Sequence, residues 1–495
     1  MPKTPVVPQA VLAGAALFLL LARPHPLAGQ QSAEPQRITL EQAIALALEQ
    51  GYQSQAALAG RDAARHAHDA FRARLLPQLG VSGQVPQYNR SIIQVVQPDG
   101  STLFRAQDQT STGLTALLSQ TLPLTGGQFY LSSSLNRLSV SGPQGILTWS
   151  STPVLVGISQ PILRPNASGW DRREQGVMAE GAERQYREAR EDISLQTANL
   201  FFDVYAAQVE LSTAANNAAI NDTLYTLNQG RFDIGKIGEN ELLQSQLALL
   251  RSRTRVDATR LDLERALAAL RLALNLPPDA AIEVVAPEEV PGFEPDTARA
   301  VSEALANRAA VTDVRLREVQ ARRRVTEAKL SGWLGATLNA SYGFNATGSE
   351  VGLAYQNLLE AQRVSLSLDL PLVQWGAHRA GVQAAEAERD QATSLAREAL
   401  QQTAFEARFA ARGFSQARRS LALSAAGDTV GQKRFAVAYN RYLIGKIAME
   451  ALYIAQTEKD QARTQYVQAL RGFWDAYYTL RRSTLYDFAK GESIR

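Results

Sequence analysis

Apolar positions along this chain follow two different periods, and the two alternate. From Thr39 to about Leu75 the residues are rich in Ala, Glu, Gln and Arg with no proline, which predicts a helix that stops at Pro77. Between 79 and 160 the period becomes two: Leu79, Val81, Gly83 and Val85 alternate with polar residues, as do Phe129, Leu131, Ser133 and Leu135, then Val154, Val156 and Ile158. Pro98-Asp99-Gly100, Gly126-Gly127 and Gly142-Pro143 supply turns, so this stretch reads as strands. Helical spacing returns from Gly169 to about Asn228 and from Glu239 to Asn275. The first of these could reach about 90 Å at the helical rise, far beyond an ordinary helix. Such lengths predict helical hairpins packed in coiled-coil fashion, with Leu243, Leu247, Leu250 and Thr254 as one seam.

Pro277, Pro278, Pro287, Pro291 and Pro295 then make an extended linker, and the sequence of periods repeats. Residues 297–331 are helical. In 333–345, Leu334, Ala336, Leu338, Ala340, Tyr342 and Phe344 face one way and Gly335, Thr337, Asn339, Ser341, Gly343 and Asn345 the other. Val364, Leu366, Leu368 and Leu370 alternate with polar partners as the next strand, and 378–426 and 448–482 form a second long helical pair. About ten residues with one apolar and one polar face suit a transmembrane barrel strand, and equally a sheet with one face on a soluble core. Trp149, Trp333 and Trp375 stand near strand ends, where an interfacial girdle would place them.

The repetition extends to single residues. Arg231-Phe232-Asp233-Ile234-Gly235-Lys236-Ile237 matches Arg441-Tyr442-Leu443-Ile444-Gly445-Lys446-Ile447 at an offset of 210, and 7 of the 16 positions from 231 and from 441 are identical. Pro161 and Pro371, at the corners where strands return to helices, keep that offset; Leu79-Gly80 and Leu334-Gly335 stand 255 apart, which places an insertion of about 45 residues in the first strand region, within roughly 97–153. Gly235 and Gly445 are placed to take the left-handed conformation after a helix, with Arg231 and Arg441 in the last turn where cations favour the helix dipole. Each turn therefore ends one long helix and begins the next.

Two tandem helix–strand–strand–helix–helix units with these turns resemble the TolC family of outer-membrane channel proteins, from Ile38 to about Arg482 and so over nearly all of the chain after the signal. The fold class so implied is mainly α with β: a long α-helical coiled-coil barrel continuous with a transmembrane β-barrel of 12 strands shared by a homotrimer. On this reading 30–288 form repeat 1, 289–488 repeat 2 and 489–495 a tail. The resemblance implies an exit duct that meets a periplasmic adaptor protein and an inner-membrane transporter and contacts outer-membrane lipid. It places the two turns at a periplasmic tip, with Arg231, Gly235, Lys236, Arg441, Gly445, Lys446 and Glu450 as adaptor-contact candidates. Glu241 and Tyr442 fall on a gating pair, expected to be joined by a bond from the tyrosine hydroxyl to the carboxylate. The family's tip arginine is Ile447 here and its two ring aspartates are Ala451 and Ile454, with Glu450 nearby. The insertion is expected to lengthen the strands or form an extracellular or lumenal hairpin, so that deleting 128–150 would spare the trimer. The rival reading is a periplasmic coiled-coil scaffold without a pore.

Composition narrows the chemistry. The 495 residues are 45% hydrophobic and 20% charged, with no cysteine and four histidines, which excludes disulfides, thiolate metal sites and a cysteine nucleophile. Lys3, the apolar run Val11–Ala22 and the small residues before position 29 read as a secretory signal over 1–29. Its removal would lower the net charge from +3 to +1 by taking Lys3 and Arg23, which gives no basic patch for nucleic acid. After it, no apolar run is long enough for a membrane helix. Gly230 to Lys236 fits the start of a phosphate loop, but Ile237 replaces its Ser or Thr and a helix precedes it. His66 and His68 are about 200° apart on a helix and cannot grip one metal. No cofactor, metal or catalytic set is expected.

Overall fold

The computed structural model describes residues 36–141 and 145–494; the signal at 1–29 and the turn at Gly142-Pro143 lie outside them. The elements run β1 (Gln36–Thr39), α1 (Leu40–Gln50), α2 (Tyr52–Arg74), β2 (Gln78–Val96), β3 (Thr102–Leu122), β4 (Gly127–Ser141), β5 (Ile146–Ile162), α3 (Ala167–Asp233) and α4 (Glu239–Ala273). There follow β6 (Ile282–Val285), α5 (Thr297–Asn307), α6 (Ala309–Ser331), β7 (Gly335–Gly348), β8 (Leu359–Asp369), α7 (Ala377–Leu443), α8 (Met449–Thr484), β9 (Tyr486–Asp487) and β10 (Glu492–Ser493).

The helices repeat with the spacing that the sequence implies. α3 and α7 are both 67 residues long and start 210 positions apart, which at the helical rise is about 100 Å each. Each leads through a tight turn into a partner of 35 or 36 residues, α4 or α8, that folds back along it. The two helices expected over 39–75 and 297–331 are each broken once. Gly51 (φ −64°, ψ 143°) and Arg308 (φ −65°, ψ 143°) leave the helical region, and each still donates its N–H to the carbonyl four residues earlier. The matching breaks show that the kink belongs to the repeat; alanine-rich flanks hide it in the sequence.

The proline linker is not wholly extended. β6 within it pairs in parallel with β1, from Gln36↔Ile282 to Thr39↔Val285, and this two-stranded sheet sits against α1, α3 and the main core. That core lies at the waist of the molecule, where Phe201, Phe202, Phe414 and Phe473 are fully buried with Trp474 and Tyr477 among them. Arg481 is tied there to both Glu191 and Asp487.

All the long strands form one antiparallel sheet in the order β2-β3-β4-β5-β7-β8. The expected 12 strands assumed four per chain; the structure has six, because the inserted residues form most of β3, β4 and the start of β5 in continuous ladders. A deletion of 128–150 would remove most of β4 and part of β5 from the middle of that sheet. Register aligns the apolar side chains of all six strands. Leu79 faces Leu118, Leu118 faces Leu131, Leu131 faces Val156 and Val156 faces Tyr342, while Leu338 faces Leu366. The opposite face carries Ser82, Thr115, Ser132, Asn339 and Ser365 at the intervening positions. No described helix is long and apolar enough to cross a membrane.

Candidate functional site

The two helix turns lie side by side at the end of the molecule remote from the sheet, and both have the same backbone. Gly235 (φ +67°) and Gly445 (φ +72°) occupy the left-handed region. The N–H of Gly235 donates to Phe232 O and that of Lys236 to Arg231 O; Gly445 and Lys446 donate to Tyr442 O and Arg441 O in the same way, at 2.8–2.9 Å. This paired closure uses up two carbonyls that the helix end would leave bare. Gly230 to Lys236 thus closes a helix C-terminus, the opposite of the N-terminus that phosphate prefers.

Side chains break the symmetry of the turns. Tyr442 is buried whereas its counterpart Phe232 is half exposed. The Tyr442 hydroxyl donates to Asn228 Oδ1 at 2.7 Å, and Asn228, fully buried, turns its amide nitrogen toward Met449 Sδ at 3.4 Å. Arg231 reaches across from α3 to cap α7: its Nη2 lies 3.0 Å from Leu443 O and 3.3 Å from Tyr442 O, and its guanidinium stands 5.1 Å from the centre of the Tyr442 ring. Leu224, Met449 and Leu452 close the cluster beneath. Arg231 thereby acts on the neighbouring helix end, where Arg441 stays exposed.

The expected bond between Tyr442 and Glu241 is absent. A hydroxyl has one proton, and here Asn228 receives it. Glu241 lines the same hollow as Tyr442, Lys236 and Lys446 but is exposed, in the first turn of α4 where a carboxylate favours the helix dipole. Lys236, Lys446 and Glu450 are likewise exposed around the turns. Local sequence does not mark Asn228, although Asn221, Leu224 and Asn228 stand at the 3 and 4 spacing of a buried helix seam, where a polar residue signals a specific partner.

One turn further along α8, the Tyr453 hydroxyl is enclosed without a hydrogen-bond partner, as is Asn221 Oδ1 in the lining of the same hollow. Burial pushes this phenol up to about 12. Among the described residues no cluster of His, Asp or Glu could hold a metal ion.

At the other end, the strands meet the helices through corners. Pro161 lies one step before the end of β5 opposite Thr337, and the turn itself falls on Leu163 (φ +56°). Pro371 lies beyond β8, and that corner turns at Trp375 (φ +48°) and Gly376 (φ +84°). Proline marks these corners, but the left-handed residues after it make them. Arg164 pairs with Asp369 and so joins the two corners. Trp333 and Trp375 stand exposed at this level, and Trp149 lies at the far end of β5 opposite Gly348.

Residues 128–276 match the family described as outer membrane efflux protein. The fold is similar to that of a membrane protein from Pseudomonas aeruginosa (TM-score 0.66, 16% identity, covering 90% of this chain and 93% of that one). It is also similar to the CmeC outer membrane channel of Campylobacter jejuni (TM-score 0.65, 17% identity, 92% and 87% covered). The outer membrane protein VceC of Vibrio cholerae gives a TM-score of 0.64 at 15% identity, with 92% and 97% covered. No curated protein matches the chain.

Proposed function

We propose that this chain, a TolC-like protein carrying an outer membrane efflux protein domain, is the outer-membrane exit duct of a tripartite efflux or type I secretion system. The observation that carries the reading is the sheet: six strands in register present one apolar and one polar face, and every strand passes at one end into the helices or a turn beside them. In lipid only such a sheet, once closed, satisfies its backbone while facing hydrocarbon on one side and water on the other. The helices carry that conduit about 100 Å further, into the periplasm.

Self-assembly as a homotrimer is supported by apolar stripes left bare on the helices. Leu423, Val430 and Val437 on α7, and Ile444 just past its end, recur every seven residues and are each more than half exposed. On α4 the expected seam, Leu243, Leu247 and Leu250, is exposed as well, because Ser245, Leu249, Ser252 and Thr259 are what α4 buries. A heptad stripe with no partner in its own chain fits a coiled-coil neighbour in another copy.

The turns form the periplasmic tip, where the adaptor docks and cargo enters from the inner-membrane transporter. Tyr442, held by Asn228 and capped by Arg231, is the closing element, with Glu241 at the rim. The duct makes and breaks no bonds; it conducts when the tips part.

Planar-bilayer recording of detergent-purified protein tests this. Small wild-type openings that grow in Tyr442→Phe and in Asn228→Ala are expected, with little change in Glu241→Ala. Well-folded protein without conductance, released from membranes by carbonate, would establish the scaffold reading instead.

A further inference from the structure

We propose that copies of this chain join through β2 of one and β8 of the next, so that three copies close a barrel of 18 strands, half as many again as four strands per chain would make. The inference rests on the homotrimeric duct proposed above and concerns how that duct crosses the membrane.

The first hairpin, β2–β3, is a full member of the sheet. Its inner end is anchored at the level of the helices, because Asn166, which caps the start of α3, donates from Nδ2 to Pro123 O at 2.8 Å and Leu124 O at 3.0 Å in the β3–β4 turn. The Gln160 amide donates to Thr125 O of the same turn at 3.0 Å. β3 then runs beside β4 without a break in register from Leu122↔Gly127 to Asp108↔Ser141. The hairpin also obeys the facing rule: Leu79, Val81 and Val85 on β2 share a side with Leu114 and Leu118 on β3 and with Leu131 and Leu135 on β4. A plug or a lumenal flap would have no reason to continue an apolar outer face.

The two edges then demand a partner. β2 leaves the helices and β8 returns to them, so β8 of one copy and β2 of the next run antiparallel, continuing the alternation around the ring. An unpaired edge cannot stand in lipid, and six strands per copy is an even number, so any ring of copies closes without a mismatch. At a strand spacing of about 4.8 Å and a tilt of about 40°, 18 strands give a backbone diameter of about 36 Å against about 24 Å for 12. Barrels of that strand number hold an aqueous channel. The membrane section would then be wider by about half than a barrel of 12 strands.

Cross-linking decides, and the absence of cysteine from the chain gives a clean background. Single cysteines on the polar face are combined in pairs: Ser82→Cys in β2 with Ser365→Cys or Ser367→Cys in β8, and, as the competing seam, Ser132→Cys or Ser134→Cys in β4 with the same β8 positions. Reductant-sensitive trimers from the β2–β8 pairs alone are expected after oxidation in membranes. Trimers from the β4–β8 pairs would overturn the proposal in favour of 12 strands with the first hairpin outside the ring. Trimers by native mass spectrometry of the wild type with neither seam cross-linked would overturn the seam while leaving the duct, and a wild-type mass of a single chain would overturn both. An image reconstruction of the detergent-purified wild type counts strands directly and needs no variant: 18 strands would support the seam, and 12 would overturn it.

Discussion

Tyr442 and Asn228 show how little separates a closing contact from a packing one. Both are buried, and the hydroxyl proton has one acceptor. Asn228→Ala leaves that hydroxyl enclosed without a partner, and Tyr442→Phe leaves Asn228 Oδ1 enclosed without a donor, each at a cost of about 1–3 kcal/mol. A double-mutant cycle read by thermal melting in detergent should therefore give a favourable coupling between the two, and purely additive effects would show that the bond contributes nothing. Tyr453 carries a different kind of prediction. Its phenol is pushed up to about 12 from 10, so the unfolded chain releases this proton first as pH rises. The fold then holds more protons than the unfolded chain, and the contribution, present in full below pH 10, is lost as pH climbs to about 12. Tyr453→Phe should flatten the fall in melting temperature across that window, and should raise stability at neutral pH by removing an unpaired buried hydroxyl. Equal slopes for the two proteins would contradict this.

At the scale of elements, the two turns are equivalent in backbone and unequal in side chains. Nothing stands within 4 Å of a Cβ built on Gly235 or Gly445, so alanine at either meets only the left-handed backbone penalty. That is about 1–2 kcal/mol for each, and Gly235→Asn should cost less than Gly235→Ala, since asparagine tolerates the conformation better. Thermal melts of the three variants check the order. The turns are legible in the sequence because a glycine flanked by a last-turn arginine has a local cause. The partner of Tyr442 is not, because Asn228 lies 214 residues away and on another helix. The strand count is hidden for a related reason: alternation marks each strand, but only the ladders show that β2–β3 joins the same sheet as β4–β5.

Across the whole molecule, the waist holds the two halves together. Arg481 donates to Glu191 and Asp487, both nearly enclosed, and Arg308 to Glu188 at the matching helix break. Burial raises the cost of an unpaired charge, so Arg481→Met should destabilise the protein by about 3–5 kcal/mol, by stranding two carboxylates. Midpoints of thermal unfolding compare this variant with Arg363→Met on the open face of β8, where little loss is expected. A loss of similar size in both would mean that the waist pairs hold nothing in particular.

Short-range physics makes several features legible along the chain: the two periods that separate helix from strand, the glycine turns, the faces of each strand, and the repeat at an offset of 210. The tertiary fold settled whatever depends on residues far apart in the chain. It paired β1 with β6, put six strands in one sheet, and chose Ser245, Leu249 and Ser252 over the more apolar Leu243, Leu247 and Leu250 as the seam that α4 buries. Periodicity states that a face is apolar, but not whether its own chain or another covers it; that choice belongs to packing, where small residues let α4 and α3 approach and leave the leucines free for a neighbour.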